Sequence, residues 1–173
     1  MPAEVWSAPV AIAEVPETGR RIHLVADAAT RAAVAQLAGV SGLPRLEAMF
    51  ELSRQARDGL RVVGNVSGTV EQTCVVTLEP MTSEVTEDVD LLFLPPQATA
   101  PGGGSSESDA DDPPETLRDG AVDLGAVATE FLILGIDPYP RKPGSVFDAP
   151  KSAEEKAEHP FAALAALKKN KPE

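Results

Sequence analysis

The stretch LRVVGNVSGTVEQTCVVTLEP, residues 60–80, decides the fold. Leu60, Val62, Val66, Val70, Cys74, Val76 and Leu78 all occupy even positions, with Gly64 and Gly68 at the same parity. Side chains alternate between the two faces of a strand, so this pattern describes one half-buried strand, or two joined at a bend. Glycine inside a strand marks a bulge or strong bend, which points to a curved, barrel-like sheet. Glu79-Pro80-Met81-Thr82 ends the run, with Pro80 suited to the second position of a turn.

The same alternation continues on both sides. Leu46, Ala48, Phe50 and Leu52 alternate with Arg45, Glu47 and Glu51, and Arg57-Asp58-Gly59 then forms a hairpin turn in which glycine takes positive φ. Val85, Val89, Leu91 and Phe93 alternate with Glu84, Thr86, Asp88 and Asp90. These segments make an antiparallel meander, and residues 5–13 and 21–25 add two further strands. Asp27 caps an alanine-rich helix over 28–38 that Gly39 ends. Asp123 precedes Leu124, Val127, Ala128, Phe131 and Leu134 at helical spacing, with Gly135 as the stop. A third helix opens at Pro160 and runs to Lys168 and Lys169, where cations suit the helix dipole. The expected class is α+β, a curved antiparallel sheet of about five to six strands with about three helices packed on it.

The chain has 173 residues, enough for one domain with its own core. Residues 97–119, QATAPGGGSSESDADDPPETLRD, combine Gly, Ser, Pro and acids with few apolar side chains. Such a segment buries too little surface to offset its ordering entropy, so it reads as a disordered acidic loop. Residues 1–96 and 120–173 together then form the single α+β domain. One cysteine permits no intramolecular disulfide, no stretch approaches the ~20 apolar residues of a membrane helix, and the N-terminus lacks a secretory pattern. A soluble cytoplasmic protein is the expectation.

Net charge is −12, and its distribution is uneven. Residues 1–70 balance acids against bases, whereas 71–90 hold Glu71, Glu79, Glu84, Glu87, Asp88 and Asp90 with no base. No Lys or Arg occurs from Val62 through Leu117. Phosphate binding needs clustered cations, so most of this surface repels nucleic acid and suits a basic protein, or simply water.

Candidate chemistry is sparse. Cys74 has Thr77 where a C-x-x-C partner would stand, and with only His23 and His159 it cannot complete a structural zinc site without carboxylates. Its base-free neighbourhood leaves the thiol unactivated, and its parity makes it a small buried hydrophobe. The carboxylates from Glu84 to Asp90 lack calcium-loop spacing, and the PGGGSS run lacks the lysine of a phosphate-binding loop. Neither catalysis nor a cofactor is expected. In Ile136-Asp137-Pro138-Tyr139-Pro140-Arg141-Lys142, the only tyrosine stands beside two cations on a proline-stiffened segment. An aromatic next to arginine stacks on a base or a partner surface, and it equally serves to pin the chain as it leaves a helix.

The order of features resembles the YceD family of bacteria and plastids, the large ribosomal RNA subunit accumulation proteins. The carrying residues are the Val-x-Gly-x-Val-x-Gly-x-Val run at 62–70, Cys74 with Leu78-Glu79-Pro80, the acidic loop, the helix opening at Val122-Asp123-Leu124, and His159-Pro160-Phe161 running to Lys168. The resemblance covers about residues 5–169. Members of that family often carry C-x-x-C-L-x-P with a basic residue between the cysteines; here Thr77 replaces the second cysteine and two valines intervene. Any metal or redox role of such a pair is therefore absent from this chain.

The resemblance implies a non-enzymatic ribosome-assembly factor supporting accumulation of large-subunit (23S) ribosomal RNA. Charge then shapes the mechanism: the acidic sheet, with Glu84, Asp88 and Asp90, or the acidic loop holds a basic ribosomal protein or precursor particle, and only Tyr139, Arg141 and Lys142 reach RNA. The competing classes are an acidic protein-interaction module unrelated to ribosomes and a small enzyme built on Cys74.

Overall fold

A computed structural model of the chain describes residues 5–56, 58–96, 114–117 and 119–147. The chain divides into two compact units, Met1–Lys142 and Pro143–Glu173, and every element named below belongs to the first. In the second, the described residues 143–147 contain a turn at Pro143-Gly144, with Gly144 at φ 77. The third helix, expected from Pro160, lies outside the described residues.

Five strands form the main sheet in the order β2-β3-β4-β5-β6: β2 Arg20–Val25, β3 Gly42–Gln55, β4 Gly59–Thr73, β5 Pro80–Leu94 and β6 Glu115–Thr116. The first four pair antiparallel, whereas β6 joins β5 in parallel through Phe93↔Glu115 and Leu94↔Thr116. A second, two-stranded sheet pairs β1 Pro9–Ala11 with β7 Ala121–Asp123. Two helices, α1 Ala28–Ala38 and α2 Leu124–Gly135, complete the fold. The α+β class and the meander agree with the sequence reading.

The barrel-like expectation needs correction. The sheet is open, with β2 and β6 as distinct end strands. Gly64 and Gly68 do not bulge β4, whose register against β3 and β5 runs unbroken through both. Gly68 instead makes room for a helix: a Cβ there would lie 2.8 Å from Leu132 Cδ1 of α2. The bulge falls between Gly42 and Arg45 in β3, and it turns Leu43 to the buried face that Leu46, Ala48, Phe50 and Leu52 also occupy. In the β3–β4 turn, Asp58 takes the positive φ (55), while Gly59 enters the strand against Leu94.

One face of the sheet carries the core. Phe50, Leu60, Val62, Val66 and Val70 are closed to solvent, together with Val34 of α1 and Leu124, Ala128 and Leu132 of α2. Each fully buried Leu, Val or Phe contributes roughly 1.5–3 kcal/mol relative to exposure. The helices have the expected caps. Asp27 Oδ1 accepts from Thr30 N at 2.7 Å, and Gly39 closes α1 at φ 69. Asp123 Oδ1 accepts from Gly125 N at 2.9 Å and Ala126 N at 3.1 Å.

Residues 97–113, most of the expected acidic loop, lie outside the described residues. Its end is described: Glu115–Thr116 is β6, and Leu117 is buried with its N–H bonded to Leu94 O at 2.8 Å.

Candidate interaction surface

Alternation that buries the even residues of β4 turns the odd ones outward, and neither described helix covers them. The outer face carries Arg45, Glu47, Met49 and Glu51 from β3, Arg61, Val63, Asn65 and Thr69 from β4, and Glu84, Asp88 and Asp90 from β5. Met49 and Val63 remain 55% and 40% exposed, an apolar centre with charges around it. Interfaces have this anatomy, a less polar centre within a polar rim.

Most of the rim charges are paired. Arg45 Nη1 reaches Glu47 Oε1 at 2.5 Å and Nη2 reaches Glu84 Oε2 at 2.6 Å, while Thr69 Oγ1 donates to Glu84 Oε1 at 2.7 Å. Arg61 grips Asp90 through two bonds of 2.9 and 2.7 Å. The Thr69 hydroxyl and then Arg45 hold the Glu84 carboxyl below its usual range, and Arg61 does the same for Asp90. These pairs are solvent-exposed, so each contributes little to stability, about 0–1 kcal/mol. Asp88 faces Asn65 across the ladder and has no ion pair among the described residues. Arg21, Arg45 and Arg61 stand against Glu47, Glu51, Glu71, Glu84, Asp88 and Asp90, which leaves the face net acidic.

The residues from Tyr139 to Lys142 lie at the opposite end of β5, strapped across the β4–β5 turn. Gln72 Nε2 donates to Asp137 O at 2.9 Å, Val75 N to Pro140 O at 2.9 Å, and Lys142 Nζ pairs with Glu79 Oε2 at 2.8 Å. Asp137 Oδ1 accepts from Tyr139 N at 2.8 Å, which folds the strap on itself. Tyr139 is 71% exposed, Arg141 is exposed, and Lys142 is half-buried and committed to Glu79. Nearby, Leu78 occupies the left-handed region at φ 59 and is 76% exposed.

Cys74 sits just past β4, in the turn rather than in the strand, and is closed to solvent as its parity implied. Its thiol is not unactivated, which corrects the sequence reading. Sγ accepts from Lys142 N at 3.4 Å and Thr77 N at 3.5 Å. These bonds, with the Thr77 hydroxyl foremost and the Lys142 and Thr77 amides next, lower its pKa from 9.0 to about 6. Burial opposes them but is outweighed. Thr77 is local, three residues on, whereas Lys142 is remote in sequence, so only part of these surroundings was within reach of the sequence reading. Among the described residues no group of three or more His, Cys, Asp or Glu is placed to hold a metal.

The structure thus brings Tyr139, Arg141 and Lys142 together at the β4–β5 turn and places Glu84, Asp88 and Asp90 farther along the outer face. No described helix is long and apolar enough to cross a membrane. No curated protein and no solved structure matches the chain. The family model described as "Large ribosomal RNA subunit accumulation protein YceD" matches residues 62–168, from the fourth residue of β4 through β5, β6, β7 and α2 and on toward the C-terminus. That description implies a role in the accumulation of large-subunit ribosomal RNA. The match spans more than half of the sequence, and the chain belongs to the YceD family.

Proposed function

We propose that the protein supports accumulation of large-subunit ribosomal RNA as a non-catalytic assembly factor in the cytoplasm, holding a basic ribosomal protein or a precursor particle that contains one. The observation that carries this reading is the outer face of β3, β4 and β5, which neither described helix covers and which is acidic in sum with Met49 and Val63 at its centre. Asp88 offers a full unpaired charge, and Glu84 and Asp90 keep half or more of their side-chain surface open to solvent beside their arginines. A basic partner gains on-rate and specificity from such a field, while the phosphate backbone of RNA is repelled by it.

RNA contact in this reading is limited to the strap, where Tyr139 and Arg141 are exposed and Lys142 is already engaged by Glu79. The test compares purified large-subunit rRNA with isolated basic large-subunit proteins as ligands for the full chain. Binding to one or more of those proteins, weakened by salt and by Asp88→Lys, is the expected result. Tight, salt-sensitive binding to bare rRNA with no binding to the proteins overturns the reading.

A further inference from the structure

The main sheet ends unevenly. β5 is a 15-residue strand, Pro80–Leu94, and it pairs with β4 on one side from Pro80 through Phe93. On the other side β6 covers only Phe93 and Leu94. From Met81 to Leu92 that second side has no strand partner among the described residues, and none of these residues has an unprinted bond elsewhere. Every second residue of this span therefore presents its N–H and C=O to solvent, a template for one more strand.

The side chains along the span select what can add there. Glu84 and Asp88 flank the edge on the outer side, and Glu87 lies on the other side against Gly135 of α2. Glu87 and Asp88 carry no ion pair among the described residues. Charges on an edge discourage pairing with a like-charged strand. A second copy of this chain carries net charge −12 and meets that repulsion. An extended cationic segment meets none: basic residues at one parity of it face Glu84 and Asp88, and those at the other parity face Glu87.

We propose that the open edge of β5, from Met81 to Leu92, takes up an extended basic segment of a partner protein as an added strand. Backbone pairing supplies affinity, and Glu84, Glu87 and Asp88 supply the preference for lysine and arginine. The inference deepens the functional reading above and rests on its claim that the partner is a basic protein. It adds the partner's conformation and moves the main contact from the face to the edge.

The test uses the full chain and two synthetic ten-residue peptides of alternating Lys and Val, one unmodified and one N-methylated at every second amide. Backbone amide exchange is followed residue by residue. At about 100 times its dissociation constant, the unmodified peptide is expected to slow exchange at alternate positions of 81–92 by up to about 100-fold. The methylated peptide, which keeps its charge but loses its donors, is expected to leave them unchanged. Asp88→Lys, checked for folding by its unchanged thermal transition, is expected to weaken the unmodified peptide at least tenfold. Three results overturn the proposal: equal binding of both peptides, protection that falls outside 81–92, or protection of 81–92 in the free protein together with a dimeric sedimentation mass. If the peptide pairs with β5 but no large-subunit protein binds, the edge inference stands and the ribosomal reading falls. Binding of large-subunit proteins without protection of 81–92 has the opposite meaning.

Discussion

At the scale of single residues, Cys74 and Asp123 show how backbone donors fix a side chain's chemistry. The folded thiol of Cys74 has its pKa lowered to about 6 from 9.0, so its contribution to stability is full above the unfolded value. That contribution is lost as pH falls through about 6. Comparing wild type with Cys74→Ala in denaturant at pH ~5 and ~9 is expected to show the larger loss at the higher pH. Thiolate absorbance should titrate near 6 in the folded chain, while alkylation stays slow because the sulfur is closed to solvent. Asp123 is pushed up by burial, yet bonds from Ala8 N, Ser7 Oγ, Ala126 N and Gly125 N outweigh that and keep it below the usual carboxylate range. Asp123→Ala removes the cap of α2 and the tie to residues 7–8, and is expected to cost about 1–2 kcal/mol in denaturant unfolding. The cap was legible in the sequence because its signal is local. The thiol's surroundings were legible only in part, because Thr77 is local but Lys142 belongs to the strap beyond α2.

At the scale of elements, parity did most of the work. The even face of 60–70 became the buried face of β4, and the alternations at 46–52 and 85–93 became β3 and β5 on either side. The glycines were misread in one respect. A bend and a close approach leave the same mark in a sequence, and Gly68 serves the second purpose by admitting Leu132. Leu132→Ala removes a fully buried side chain at that contact and is expected to cost about 2–5 kcal/mol. Gly68→Ala is expected to destabilise as well, through the 2.8 Å approach of its Cβ to Leu132. Thermal unfolding of both variants checks the pair, and a neutral Gly68→Ala contradicts the packing account. The pairings β1–β7 and β5–β6 were illegible, since β1, β6 and β7 are only two or three residues long and their partners stand far away in the chain. So short a strand carries no periodicity to read.

At the scale of the whole molecule, charge and openness combine. The segment 71–90 that holds acids and no base is the segment that folds into the end of β4, the strapped turn and most of β5. Four of its six acids, Glu71, Glu84, Asp88 and Asp90, therefore share the outer parity of β4 and β5, while Glu79 stays in the turn and Glu87 lies on the helix side. The sequence already indicated a basic partner over RNA, but the arginines that temper Glu84 and Asp90 come from β3 and β4 and emerge only in the fold. Asp88 and Glu71 consequently matter more than their neighbours. Association with a basic partner is expected to weaken steeply as salt rises, because these charges are exposed and screened within a Debye length of about 8–10 Å.

The central claim, that the acidic sheet side attaches this protein to large-subunit precursors, is tested most directly by gradient sedimentation of lysates. Wild type is to be compared with an Asp88→Lys, Glu71→Lys double variant of equal stability. The account predicts that wild type travels with large-subunit precursor particles and that the variant shifts to the soluble fractions, with reduced large-subunit rRNA. A variant that travels with the particles as wild type does, or a wild type confined to the soluble fractions, would contradict it.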